Sequence, residues 1–294
     1  AFAAITATQL KSVTGNQIAA MTEDQAGAMI EIQIGALSEE QANSLTAEQL
    51  VKFDTQAKVE AIKPALLATL DGETQLAAMT PDQVGYFTTG QMTALTGAQL
   101  SKMTPEQLAK LSTNQIKAIR ITELPSLSEE QIASFDPTTQ MSGFTTAQIK
   151  ALSGDQVKAL TALQVKALST GQIAAIETDD LKLMTDEQIQ ALSTEADNNQ
   201  IAALTTAQFQ ALELTQIAAL SDAQVTDIEN KDYVNSSQLQ AYNDTASING
   251  KLDANDQRYN DTASINGKLD ANDQRYNDTA AIANKLDAND QRYN

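Results

Sequence analysis

The chain has 294 residues, neither cysteine nor histidine, only 4% aromatic residues and a formal charge of −19. Without those two residue types it can build neither a disulfide framework nor the usual thiolate, imidazole and nucleophile–base sites. The acidic balance disfavours nucleic acid and anionic lipid, which need clustered Lys and Arg, and no stretch approaches the roughly 20 apolar residues of a spanning helix.

Few aromatics, no Trp and an abundance of Ala, Leu, Thr and Gln favour short side chains packed along helices over a thick globular core. The N-terminus lacks a basic segment followed by an apolar run, so the numbering is expected to begin at a mature protein or an excised segment.

From Ile5 the apolar residues Val13, Met21, Met29, Leu37 and Leu45 fall eight apart, and the spacing recurs from Met79 to Ile119 and from Leu152 to Leu192. Numbered 1 to 8, the unit reads apolar, Thr or Ser, two variable residues, Gln, then Ile, Val or Leu, variable, Ala. Met103–Lys110 shows it well.

Eight residues overshoot two helical turns by about 80°, so an unbroken helix would spread its apolar positions all round. The helix must therefore be interrupted once per unit. Thr or Ser at position 2 with Gln at position 5 is a capping box, which starts a new helix in each octad. Positions 1 and 6 then become N′ and N4, the pair that forms a hydrophobic staple. Pro64, Pro81, Pro105 and Pro137 all occupy position 3, the first helical residue, where a missing N–H costs nothing. Pro125 lies outside this rule, in a degenerate octad.

These signals predict an all-α solenoid, or superhelix, of very short capped helices over residues 1–228, with positions 1 and 6 and the Ala at 8 as its inner seam. With one helix per repeat, part of that seam is expected to stay open to another chain. The phase slips by nine residues from Phe53 to Ile62 and from Leu70 to Met79, and by twelve from Leu192 to Leu204. Each slip is read either as tolerated drift or as a local bend.

Residues 229–241 form a polar junction, and a second period of seventeen residues begins at Tyr242. Its apolar stripe is Tyr242, Ile248, Leu252, Tyr259, Ile265, Leu269, Tyr276, Ile282 and Leu286, with Asn255 and Asn272 in inward positions. Allowing Thr245 into the stripe gives steps averaging about 3.4 residues, which predicts a left-handed coiled coil over 242–294. These eleven residues are the candidate self-association seam of a homo-oligomer, a trimer or an open polymer. Asn249-Gly250 argues for a hairpin instead, but the third copy carries Ala283 and Asn284 there.

Candidates for chemistry are few. Acidic residues fall mainly at octad positions 3 and 4, where they complement helix N-termini. Asp253-Ala254-Asn255-Asp256 opens like a calcium loop but has Arg258 where Gly is needed, so an EF-hand is rejected and weak inter-chain calcium is the one ion left open. Asn235, Asn243, Asn260 and Asn277 match the glycosylation acceptor pattern, although a cap or turn explains them equally. No catalytic residue, cofactor site or metal site is assigned, and the chain reads as non-enzymatic.

Octads such as Ala151–Lys158 and Ala159–Lys166 resemble repeats of large repetitive bacterial surface proteins of the adhesin type, and the tail resembles stalk segments of trimeric fibres on bacteria and phages. The resemblance implies an extracellular structural part of a surface filament or adhesin stalk, with a host or surface receptor as its further partner. A phage or injection-machine tail fibre and an intracellular scaffold that binds peptides are the alternatives.

Overall fold

The computed structural model describes residues 4–229. The junction from 230 on and the expected coiled-coil tail lie outside the described residues. Within 4–229 there are only helices and turns, with no strand. The chain divides into two compact units, Ala1–Ile176 and Glu177–Asn294. The division falls at an octad, Ile176–Leu183, that carries Glu177 in place of the capping hydroxyl and Asp180 in place of Gln.

Each regular octad holds one helix of four to six residues, as in Pro105–Leu108, Thr113–Ala118 and Glu129–Ala133. The start is set by the capping box. In the octad of Pro105–Leu108 the Thr104 hydroxyl accepts the Gln107 N–H at 3.3 Å while Gln107 Oε1 accepts the Thr104 N–H at 2.9 Å. Proline stands at the first helical position in Pro64–Leu67, Pro81–Gly85 and Pro105–Leu108. Pro137 differs: it opens a turn that leads into the 3-10 segment Met141–Gly143. Pro125 lies inside the 3-10 helix Ile121–Ser126. Each helix stops because the next position 1 is extended, as at Leu160 with φ −57° and ψ 133°.

In the first unit each short helix packs on the third element after it, for example Glu23–Gly27 on Ala47–Val51 and Thr89–Ala94 on Thr113–Ala118. The second unit repeats the rule with Gln200–Ala203 on Asp222–Glu229, and Asp186–Gln190 packs on Leu214–Ala219, the third helix after it once the inserted 3-10 turn Ala196–Asn198 is passed over. Within each unit helices in single file thus wind into a superhelix whose turns stack directly. Positions 1 and 6 fill its axis. Leu108, Ile116, Val157, Val165 and Ile173 are 0% exposed, and Leu111, Ile119, Leu160 and Leu168 at most 4%. The expected open seam is therefore not found here. Beyond the first turn the octad seam is closed by the octads of neighbouring turns, because successive helices fan around the axis and each apolar pair finds a partner above and below. Of the large apolar side chains that do face solvent, Ile32 and Leu163 stand at position 4 and Ile121 and Leu214 at position 3, while Ile30 and Leu183 stand at positions 2 and 8.

The phase slips leave the core in register. In the nine-residue unit from Leu70 a π-turn over Gly72–Leu76 takes up the added residue, and both Leu70 and Leu76 stay buried. A further nine-residue step, Phe135 to Phe144, is absorbed by the Asp136 turn, with the two rings edge to face at 5.0 Å. The twelve-residue unit loops out Glu195–Asn198 and resumes at Gln200–Ala203.

Candidate functional site

The most constrained polar group in the repeat is the glutamine at position 5. From Gln33 onward nearly every octad buries it: Gln91, Gln164 and Gln200 are 0% exposed, and Gln107, Gln148 and Gln224 are 1%. A primary amide at that depth has to satisfy both ends. Its Oε1 closes the capping box. Its Nε2 reaches the preceding superhelical turn.

In one case Gln164 Oε1 accepts the Thr161 N–H at 2.8 Å, while Nε2 donates to the Ile132 carbonyl at 2.9 Å and the Phe135 carbonyl at 2.7 Å. Those acceptors are position 6 of the fourth octad back and position 1 of the third. Gln41, Gln99, Gln131 and Gln156 make the same pair of bonds. One superhelical turn therefore takes between three and four octads. The position-6 carbonyl also accepts the N–H of the next position 1, as Leu100 does from Met103 at 3.1 Å, and the glutamine of a later turn adds a second donor to it.

The rule counts octads and not residues. Gln107 reaches Leu76 across 31 residues, whereas Gln224 reaches the corresponding Ile189 across 35, since the second path includes the Glu195–Asn198 insertion. In both nine-residue units with glutamine the box is stretched by one residue. Gln75 Oε1 accepts the Asp71 N–H and Gln140 Oε1 the Asp136 N–H, and the bonds to the earlier turn are kept. In the insertion unit Gln200 Oε1 accepts the Ser193 N–H at 2.7 Å across seven residues. Where glutamine is missing, Lys58 donates its Nζ to the Gly27 carbonyl at 2.6 Å, 31 residues back.

Sequence reasoning assigned this glutamine to the capping box alone and placed it outside the inner seam. Its second role is the main functional feature missed. A signal was present: glutamate serves a capping box as well as glutamine does, and acidic residues are common at the neighbouring positions, yet Glu123 is the only glutamate at position 5. It lies on the degenerate 3-10 octad, pairs with Arg120 at 3.1 Å and accepts the Gly97 N–H at 2.6 Å.

The acidic residues at positions 3 and 4 are exposed and fold back on helix starts. The backbone N–H of each residue and the hydroxyls of Thr46, Thr104 and Thr185 hold the Glu48, Glu106 and Glu187 carboxyls below the usual range. Hydrogen bonds from the Thr138 and Thr139 hydroxyls, and from the Thr139 N–H, lower Asp136 to about 2. Burial, then the neighbouring Glu177 and Asp179, pushes Asp180 up. Exposed ion pairs join adjacent turns at Lys52–Glu23 (3.1 Å) and Lys110–Asp82 (2.8 Å).

Among the described residues no group of three or more acidic side chains is placed to hold a metal ion, and no helix is long and apolar enough to cross a membrane. A shallow open groove of about 550 Å³ lies between Met21–Asp24 and Thr46–Gln49. The self-association residues Tyr242 to Leu286, the Asp253–Asp256 segment and the acceptor pattern at Asn235, Asn243, Asn260 and Asn277 all lie outside the described residues.

Residues 137–170 and 163–194 match the family model described as the ALTTAQ repeat. The protein is a helical-repeat protein. The matched stretches span the octads around Phe144–Lys150 and Gly154–Ala159, where box, staple and buried glutamine are all present. No curated protein matches the chain.

Proposed function

We propose that the chain is a structural, non-catalytic component of an extracellular bacterial surface filament or adhesin stalk, with the octads setting length and the tail joining copies into an oligomer. The observation that carries this reading is the uniform glutamine ladder. The repeat devotes its recurrent buried polar group to bonds between turns, and bonds of that kind hold a solenoid together along its axis. Near-identical tail copies at Tyr242 and Tyr259 fit a stalk better than a surface that must read varied peptides.

The test is solution mass combined with hydrodynamic shape, by light scattering and sedimentation of the full chain. A discrete elongated trimer supports the stalk. A stable monomer overturns it and favours the peptide scaffold.

A further inference from the structure

Asp136–Pro137 is the one Asp-Pro bond in the sequence. A peptide bond of this kind is open to attack by its own side chain. A carboxyl oxygen adds to the aspartyl carbonyl carbon and closes a five-membered anhydride, while the C–N bond breaks. The proline nitrogen, a tertiary amide, takes up the proton and leaves as a secondary amine. Water then opens the anhydride to the free acid, so the net reaction is hydrolysis by one water. The reactive state carries one proton more than the carboxylate form of the site, which confines the reaction to acid and ties its onset to the titration of the carboxyl.

Asp136 is exposed and stands in a turn, outside any helix. The four hydrogen bonds to its carboxyl all fall on Oδ1: the Thr138 N–H donates at 3.0 Å, and the Thr139 N–H and both threonine hydroxyls donate at 2.7 Å. They hold the carboxyl over the residues that follow, and attack on its own carbonyl requires that hold to be released. The same bonds favour the carboxylate and lower Asp136 to about 2, so the protonated state that cleavage needs is reached only well below the ordinary aspartate range. Lys117 and Lys166, the charged residues of the helices packed on Met141–Gly143, do not contribute to that lowering. The ladder decides what a cut would do. Gln140, Gln148, Gln156 and Gln164 follow the bond, and the carbonyls they reach, from Leu108 to Phe135, precede it. The Phe135 ring also meets the Phe144 ring across it.

We propose that Asp136–Pro137 is a self-cleavage site, held back in the folded array by the hydrogen bonds from Thr138 and Thr139, and that an array cut there stays in one piece through the glutamine ladder. This modification goes beyond the structural role proposed above and does not depend on it.

The test incubates the full chain, the double variant Thr138→Val with Thr139→Val, and Asp136→Ala at the lowest pH at which circular dichroism shows all three folded. Mass spectrometry follows the fragments 1–136 and 137–294. The double variant is expected to release them on the order of tenfold faster than the parent, and Asp136→Ala not to release them. If the double variant does not fold, Thr139→Val alone replaces it, with release roughly threefold faster expected. In concentrated urea, where the hold is absent, parent and valine variant are expected to cleave alike. The cut parent, returned to neutral pH, should sediment like the uncut chain and come apart only in denaturant. Absence of a cut at Asp136–Pro137 in parent and valine variant, or a folded valine variant no faster than the parent, overturns the guarded site. Fragments that separate in native buffer overturn the held cut. Neither result bears on the stalk, which stands or falls on the oligomer mass.

Discussion

Gln164→Glu isolates the part of the ladder that the capping box does not need. The substitution keeps the shape and the Oε1 that accepts the Thr161 N–H, and it removes the donor to Ile132 and Phe135 at a fully buried position. Two buried carbonyls lose a partner, at about 1–3 kcal/mol each, and a carboxylate oxygen now faces them. The expected loss at neutral pH is about 3–5 kcal/mol, a large share of the stability of a typical domain. The protonated acid can restore one bond, so its folded-state pKa is raised above the ordinary value of about 4.3. A carboxyl raised in this way binds more protons folded than unfolded, so the deficit relative to the parent shrinks as pH falls toward about 4. Urea unfolding followed by far-ultraviolet circular dichroism measures the midpoint, and hydrogen exchange around residues 161–168 locates the damage. Gln17→Glu is the control, because its amide is exposed and has no inter-turn acceptor, and it is expected to stay within about 0.5 kcal/mol of the parent. Equal effects at Gln164 and Gln17, or no effect at Gln164, would refute the ladder as a source of stability.

The cap at Ile30 has no hydroxyl and keeps only the Gln33 half of the box at 2.9 Å, so Ile30→Thr is expected to raise stability by about 0.5–1 kcal/mol in the same unfolding assay. A Cβ at Gly143 would stand 2.9 Å from the Thr113 Cα, whereas one at Gly171 would meet nothing nearer than 3.7 Å. Gly143→Ala should therefore cost about 1–3 kcal/mol, and Gly171→Ala, inside the helix Thr170–Ala175, should stabilise by about 0.5–1 kcal/mol. Asp136, lowered to about 2 by the Thr138 and Thr139 hydrogen bonds, favours folding above the ordinary aspartate range and loses that contribution as pH falls from about 4 through about 2. Asp136→Asn should flatten that acid limb of the melting curve, and a carboxyl titrating near 4 by NMR would contradict the geometry. Deleting Glu195–Asn198 should leave a folded array, since the residues left read Leu-Ser-Thr-Asn-Gln-Ile-Ala-Ala and match Leu111–Ala118 closely; collapse of helicity would show that the loop is structural.

Local features were legible because they depend on the nearest residues. Thr104, Pro105 and Gln107 set the start of one helix, and Met103 and Leu108 its buried side, whatever lies beyond. The winding was not legible. It depends on the angle between one helix and the next, fixed at extended links such as Leu160, and no hydrophobic period encodes it. For the same reason the sequence left the seam open, since closing it needs the turns above and below. The slip at Leu70 reads in sequence as an interruption, but a π-turn and a stretched box keep Gln75 on the Leu45 carbonyl, so the added residue stays local. The residues named for the expected self-association site lie in the tail, outside the described residues.

The four-octad reach of the glutamine reproduces, one level up, the bond from residue i to residue i−4 of an α-helix. A feature of that bond pattern carries over with it. An α-helix fixes several residues before its first bond forms, so its nucleus is costly and each later step is cheap. In this array a glutamine bonds only to octads three and four back, as Gln41 does to Val13 and Leu10, so no rung forms until a fourth octad is in place. A series of three octads therefore has no ladder at all, and each unit added beyond the first turn brings its own rungs. Length in such a protein is a condition of folding before it is a dimension of the finished molecule.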